Sequence, residues 1–407
     1  MTTTRRTTKT IRHDASTPYT ISITCARGLA PFLQQEVEAL GHELRVAHET
    51  GVEIRATMRD VMRLNLWLRT AFSVMVLLEE FECRSPDELY ANAKKIAWEE
   101  MISPDEYVSV ITRVDTPTIK NSTFAGLRVK DAIVDRIAKK KGQRPDAGPN
   151  RDNVVVNLFW KEERCWLYLN TSGRKLSDRS YRRMPHRAPM QETLAAGVML
   201  ATDYHGDGPL INPMCGSGTL AIEAALIALG RAPGLLRANF GFMHDLRFDK
   251  DAWEAIRREA RKTRRKDTPA RIIATDIDPQ AIRAAKKNAE TAGVHRLIEF
   301  RVCDFADTEI PPDGGTIIFN PEYGERLGDV TRLAETYERM GDFLKQKCAG
   351  YGGYIFTGNL DLAKKIGLRT SRKIPFFNAK IECRLLKYEL YTGTRKKRDD
   401  PHASEQV

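Results

Sequence analysis

Gly216 and Gly218 stand in the run Asn212-Pro-Met-Cys-Gly-Ser-Gly-Thr219, between the apolar pair Leu210-Ile211 and an apolar helical stretch that begins at Leu220. Glycines at that spacing let the chain take positive φ and let a ligand come close to the backbone, while the helix that follows offers free N–H groups. Such a loop cradles a ligand. Three further stretches read as strands and end in polar residues: Arg271 to Thr275 in Asp276-Ile277-Asp278, Ile298 to Val302 in Cys303-Asp304, and Thr316 to Phe319 in Asn320-Pro321-Glu322-Tyr323. Asp276 is an acid placed to accept hydrogen bonds from both hydroxyls of a ribose. In an open parallel sheet, ligands sit outside the carboxyl ends of the strands, so these four strand ends would share one crevice. A dinucleotide site explains the glycine loop and the acid but not the Asn-Pro-x-Tyr turn.

Together these motifs resemble the class I S-adenosylmethionine-dependent methyltransferases, whose amine-methylating branch carries an Asn/Asp-Pro-Pro-Tyr/Phe turn. More narrowly, Asn212 to Thr219, Arg231-Ala-Pro-Gly234 and Asn320 to Leu327 resemble the guanine-N2 methyltransferases of large-subunit ribosomal RNA that carry a THUMP domain. The similarity runs from about Tyr19 to Gly393, and is to the N2-methylguanine-forming part of fused two-methyltransferase bacterial enzymes. The resemblance implies S-adenosylmethionine contacts from Thr193, Asn212, Pro213, Gly216, Ser217, Gly218, Thr219, Glu223, Asp276, Ile277, Asp304 and Asn320. Thr193 reads equally well as a helix cap. Glu223 either faces the positive sulfonium and amino groups or caps its helix. For catalysis the resemblance implies that the Asn320 side-chain oxygen and the Pro321 carbonyl accept the amine protons, while Tyr323 stacks on a base rotated out of its helix. Glu322 stands where the family has a second proline. That leaves the stiffness of the turn open, and the carboxylate could either pair with guanine N1–H or be an exposed substitution. Cys215 reads as a packing residue and not a nucleophile.

Periodicity supplies the elements that must hold these groups. Strands at 19–24, 52–56 and 73–81 alternate with helices at 30–40 and 58–68, a β-α-β-α-β order that predicts a ferredoxin-like layer with Trp67 and Phe72 in its core. A helix at 86–97, a strand at 107–113, a helix at 124–139 and a hairpin at 153–160 and 164–170 look like a THUMP domain, an RNA-binding module. The expected division is a tail at 1–18, a ferredoxin-like part at 19–61, the THUMP domain at 62–171, a basic linker at 172–189, a methyltransferase domain at 190–393 and a tail at 394–407. The fold class is α/β: a Rossmann-like, mostly parallel seven-stranded sheet, closed by an antiparallel pair at 376–386 and 387–392, behind an N-terminal α+β region. RNA contacts are expected from Lys120, Asn121, Arg128 and Lys130, and from the linker residues Arg174, Arg179, Tyr181, Arg182, Arg183 and Arg187, where cations flank a ring. The Arg- and Lys-rich helix at 253–266 reads first as a solvated face.

A chain of 407 residues with 42% hydrophobic content can build two or three full cores, and a net charge of +11 favours a polyanionic partner. The seven cysteines are scattered, with no CxxC pair and no histidine cluster, which argues against disulfides, structural zinc and any metal. No apolar run approaches the ~20 residues of a membrane span, and a cytoplasmic protein is expected. The Thr/Arg-rich start leaves an organelle transit peptide as the other reading. The expected activity is methyl transfer to the exocyclic N2 of a guanine in 23S-type ribosomal RNA. A transfer-RNA guanine-N2 methyltransferase and a catalytically silent RNA-binding homologue are the alternatives. A nicotinamide dehydrogenase is disfavoured by the aromatic turn and by the lack of a catalytic His or Tyr-Lys pair near the strand ends.

Overall fold

A computed structural model describes residues 17–184, 189–265, 268–323 and 327–391, so the expected end segments lie outside the described residues apart from Thr17 and Pro18. The chain opens with β1 (Tyr19–Cys25), which turns Ile21 and Ile23 inward, and α1 (Ala30–Ala39), which buries Leu33 and Val37 one turn apart. β2 (Leu44–His48) and β3 (Gly51–Ala56) form a hairpin, and α2 (Met58–Trp67) starts on a capping box in which Thr57 and Asp60 satisfy each other's backbone N–H. β4 (Ala71–Glu82) is bonded along both edges, to β1 from Ala71 to Val76 and to β8 (Arg164–Asn170) from Met75 to Glu82. One eight-stranded sheet, ordered β2-β3-β1-β4-β8-β7-β5-β6, therefore runs through the whole N-terminal half. Its remaining strands are β5 (Tyr107–Asp115), β6 (Asp146–Ala147) and β7 (Val154–Lys161). Helices α3 (Pro86–Ala93) and α4 (Ser122–Lys141) belong to the same half; α4 is capped by Asn121 and ended by Gly142 at φ 77°.

The second half begins with α5 (Glu192–Leu200), β9 (Leu210–Pro213) and α6 (Thr219–Ala228). There follow α7 (Lys250–Lys262), β10 (Ile272–Asp276), α8 (Pro279–Ala292), β11 (Ile298–Val302) and β12 (Gly315–Phe319). α9 (Leu327–Lys347), β13 (Tyr351–Thr357), α10 (Leu360–Lys364), β14 (Arg372–Asn378) and β15 (Ile381–Glu389) complete it. The seven-stranded sheet is ordered β11-β10-β9-β12-β13-β15-β14, parallel from β11 to β13 and antiparallel at β15 and β14. Strand order reverses between β9 and β12, the switch point at which open α/β sheets bind ligands. The closing hairpin turns at Ala379-Lys380, with Ala379 at φ 54°, and not after Leu386 as the apolar pattern suggested. Residues 381–389 continue as one strand because β13 pairs with them from Arg384 to Glu389.

The two halves share one apolar core. Phe32 of α1 stacks on Phe376 of β14 at 5.7 Å, and Gly28 sits so close to the Phe376 backbone that a Cβ would fall 3.0 Å from its Cα. Gly234, in a short turn after α6, presses on α2: a Cβ there would lie 2.7 Å from Leu66 Cα. The obstacle is backbone, so a rotamer change cannot relieve it. Gly234→Ala is expected to lower the unfolding free energy by about 1–3 kcal/mol through overpacking, read as a shifted urea midpoint. An unchanged midpoint would show that α2 is free to move away.

Candidate functional site

β9 delivers the glycine loop and β10 fastens it. Met214, Gly216 and Gly218 all take positive φ (55°, 54° and 82°), so the chain doubles back before α6 begins. A Cβ on Gly218 would meet Ala285 of α8 at 2.9 Å, whereas one on Gly216 would have nothing within 4 Å. The first glycine serves the backbone turn and leaves open space above it; the second permits close packing of loop on helix. The Gly216 N–H donates to Asp276 Oδ2 at 2.9 Å, while Asp276 Oδ1 accepts from the Asp278 N–H at 3.0 Å. Ile277, next along, is 69% exposed at the strand end, an apolar surface for a flat ring. Asp304 accepts from the Ala306 N–H at 2.9 Å and from Arg339 at 2.8 Å. Burial opposes its ionisation, but those two donors hold the carboxyl below its ordinary value.

Asn212 is fully buried; its Nδ2 donates across the switch point to Ile318 O of β12 at 3.0 Å, and its Oδ1 has no partner. Thr193 Oγ1 in α5 is likewise buried without a partner. Gly218 caps α6 with no side-chain acceptor, so the first amides of that helix are also unclaimed by a cap. Orphaned polar atoms, an open glycine and an acid held at a strand end fit a nucleoside cofactor. Pro213, Ser217 and Thr219 are part of the same loop and helix start. Cys215 has its thiol pushed well up by burial, which suits packing and not nucleophilic attack.

The turn after β12 lies beside this loop because β9 and β12 are neighbours. Asn320 is half-buried and its Oδ1 accepts from Tyr323 OH at 3.3 Å. Asn359 Nδ2 donates to Tyr323 O at 3.2 Å and Tyr337 OH to Glu322 O at 3.3 Å, so two side chains from neighbouring elements grip the turn's carbonyls. They supply stiffness that a second proline would otherwise give. The Glu322 side chain is 63% exposed and its carboxylate lies 3.8 Å from Arg332. Burial raises the Tyr323 phenol, so it is a neutral donor, and its ring meets Phe356 edge-on at 6.5 Å.

The basic linker behaves differently from its sequence reading. Arg179 and Tyr181 are each only 1% exposed, and both hold Glu223 of α6, which is completely buried: Arg179 Nη1 donates to Oε2 and Tyr181 OH to Oε1 at 2.9 Å. Neither residue can reach a phosphate, and Glu223 is neither a cofactor contact nor a cap. Burial raises its carboxyl above the ordinary value, and Arg179 and Arg69 oppose that rise without cancelling it. Arg182 is turned inward as well, donating to Glu192 at 3.1 Å and to Met190 O at 2.7 Å. Arg183 and Arg174 are exposed, but Arg174 is paired with Asp152 at 2.5 Å; Arg187 lies outside the described residues. In the THUMP-like part, Lys120 is exposed, Asn121 caps α4 by accepting from Thr123 N–H at 2.9 Å, Arg128 pairs with Asp87 at 2.5 Å and Lys130 with Asp131 at 2.8 Å.

Two residues that sequence reasoning passed over organise the site. Asn288 of α8 accepts from the Arg183 and Met184 N–H groups and donates to Met184 O and Ser217 O, joining linker to glycine loop. Arg237 donates to five carbonyls, among them Lys175, Asp178 and Ser172. A lone asparagine among the alanines of a helix was the available signal for the first; an arginine in a loop carries none.

Residues 179–387 match the RMKL-like methyltransferase domain, 20–75 the RlmL ferredoxin-like domain and 83–170 the THUMP domain. The chain belongs to the RMKL-like methyltransferase family. It is 37% identical, over 92% of its length, to 54% of the ribosomal RNA large subunit methyltransferase K/L of Syntrophotalea carbinolica (strain DSM 2380 / NBRC 103641 / GraBd1). It thus spans about half the length of that relative. A Synechocystis sp. (strain ATCC 27184 / PCC 6803 / Kazusa) protein, slr0064, named only provisionally as an RNA methyltransferase, matches at 35% identity over 90% of this chain and 96% of its own. Among solved structures, SMU.472 complexed with SAH superposes with a TM-score of 0.83 at 25% identity, covering 93% of this chain and 100% of that one. No helix among the described residues is long and apolar enough to cross a membrane.

Arg179→Met should leave Glu223 buried without its ion-pair partner, lowering the unfolding free energy by about 3–5 kcal/mol, whereas Arg179→Met with Glu223→Leu recovers most of that loss. Urea unfolding of the four proteins of this cycle measures it; additive losses would mean the two groups do not interact. Asp276→Ala removes the acceptor that ties down Gly216, and calorimetric titration with S-adenosylmethionine is expected to show affinity reduced about tenfold or more.

Proposed function

We propose that the chain transfers a methyl group from S-adenosylmethionine to the exocyclic N2 of a guanine in large-subunit ribosomal RNA. One observation carries the reading: the Asn320 amide stands at the end of β12, across the switch point from the glycine loop on β9, to which Asn212 connects it through Ile318. The likeness to ribosomal RNA large subunit methyltransferase K/L supports the choice of RNA class.

When bound, S-adenosylmethionine supplies an electrophilic methyl group. The chain's own residues would arrange the acceptor. A guanine amine is a weak nucleophile because its lone pair is spread into the ring, and acceptors on both N–H bonds orient that pair. Asn320 Oδ1 and the Pro321 carbonyl are those acceptors, and the Tyr323 ring stacks on the everted base. The Tyr323 hydroxyl now occupies Asn320 Oδ1, so the amine takes its place there on binding. No strong base is required, since the amine proton becomes acidic as nitrogen takes the methyl group, and water can receive it. Asp276 and the loop it fastens hold the ribose side of the cofactor; Ile277 and Asp304 lie at the adjoining strand ends.

Mass spectrometry of ribosomal and transfer RNA nucleosides from cells lacking the gene tests the substrate. Loss of N2-methylguanosine from the large-subunit RNA is expected; loss from transfer RNA alone would replace this reading with the transfer-RNA one. Purified protein that binds S-adenosylmethionine yet labels neither RNA would be an RNA-binding homologue without turnover. For the site, Asn320→Ala should cut transfer about 10²-fold or more while cofactor affinity stays within a few-fold. Tyr323→Phe keeps the ring and should keep turnover, whereas Tyr323→Ala loses stacking and about tenfold in rate or RNA affinity.

A further inference from the structure

The open face of the N-terminal sheet carries a concavity of about 140 Å³, away from the strand-end site. Phe72 and Phe159 supply rings, Asn157 and Asn170 amides, and Arg151 and Lys175 positive charge. Strand alternation puts Asn157 and Phe159 on one face, half-buried, while Val156, Leu158 and Trp160, which alternate with them, are buried on the other. Phe72, expected in the core, is half-buried here with Lys175 Nζ 4.7 Å above its ring. Phe159 is braced by Tyr168 in an edge-on contact at 5.5 Å. Asn170 is committed: its Oδ1 accepts from the Ser172 and Gly173 N–H groups and its Nδ2 donates to Asn157 Oδ1 at 3.1 Å. That bond orients the Asn157 amide, whose own Nδ2 has no partner among the described residues. Of the acids nearby, Asp152 is paired with Arg174 and Glu80 with Arg164, while Glu53 lies on the Tyr168 side; Arg151 and Lys175 place positive charge at the rim.

We infer that this concavity is a subsite for one unpaired nucleotide of the RNA, remote from the nucleotide that is methylated. Rings of this kind stack on any splayed base, and an oriented amide can bond a base edge. Cations at the rim suit the flanking phosphates, and a lysine on a flexible stem can leave the Phe72 ring to meet one. The space holds a single heterocycle, not a helix, so the subsite selects a loop, bulge or end. The occupant's being RNA rests on the proposed function.

Photo-crosslinking of the full chain to a short single-stranded RNA carrying 4-thiouridine, followed by peptide mapping, locates the base. Crosslinks within β4 or β7 are expected, both in the wild type and in Asn320→Ala. The exposed reversals Arg151→Glu and Lys175→Glu should each reduce the slope of log affinity against log salt by about one, with thermal unfolding unchanged. Phe159→Ala should weaken binding roughly tenfold. Crosslinks confined to other peptides, reversals that alter neither affinity nor slope, or an end segment of the chain itself captured in the concavity would each overturn the inference. Methyl transfer with no crosslink here would sink the subsite alone; crosslinking without methyl transfer would sink the proposed activity alone.

Discussion

Burial of Glu223 is the constraint from which the molecule's architecture follows. A carboxylate with no solvent access is costly unless paired and fully hydrogen-bonded, and Glu223 draws its partners from the linker, Arg179 and Tyr181. Arg179 in turn donates to Arg69 O, and Arg69 donates to the Arg231 carbonyl at 2.9 Å. Glu36 of α1 completes the network by accepting from the Arg69 and Thr70 N–H groups at 2.7 and 3.0 Å. Acids and arginines from the N-terminal sheet domain, the linker and the methyltransferase domain therefore solve one another's desolvation. Moving one domain on the other would strand at least one buried charge, so their orientation is held by electrostatics as well as by packing.

The same strap sets up the glycine loop. Its backbone is pinned to Asn288, which also binds Ser217 O, and Arg237 closes over the carbonyls upstream. From the other side Asp276 holds Gly216. Within the loop the Gly218 N–H donates to Cys215 O at 2.9 Å, and these outside bonds add to it in fixing the loop's shape. The sheet then does the rest: β9 and β12, neighbours at the switch point and joined there by the Asn212 to Ile318 bond, bring the glycine loop and the Asn320 turn side by side.

The basic character of the chain is thereby divided in two. Part of it is structural, spent inside on Glu223, Glu192 and rows of carbonyls. Surface cations such as Lys120, Arg151, Lys175 and Arg183 remain for a polyanion. Counting charge over the linker cannot separate these two roles, since an arginine that satisfies a buried acid and one that meets a phosphate look alike in sequence.

Strand ends were legible because they are local. Short strands stopping at or just before Asp276, Asp304 and Asn320, and glycines where φ must be positive, announce themselves through local backbone requirements. β2 was not legible: it is an exposed edge strand that needs no apolar alternation, only β3 beside it. Nor was the closing hairpin's turn, because pairing with β13 decides where β15 begins and ends. Amino-acid order alone determined the glycine and strand-end motifs and the class of sheet that carries them. Tertiary structure alone decided that Arg179, Tyr181 and Glu223 turn away from water onto one another, since partners 44 and 42 residues apart become neighbours only once α6 packs beneath the linker.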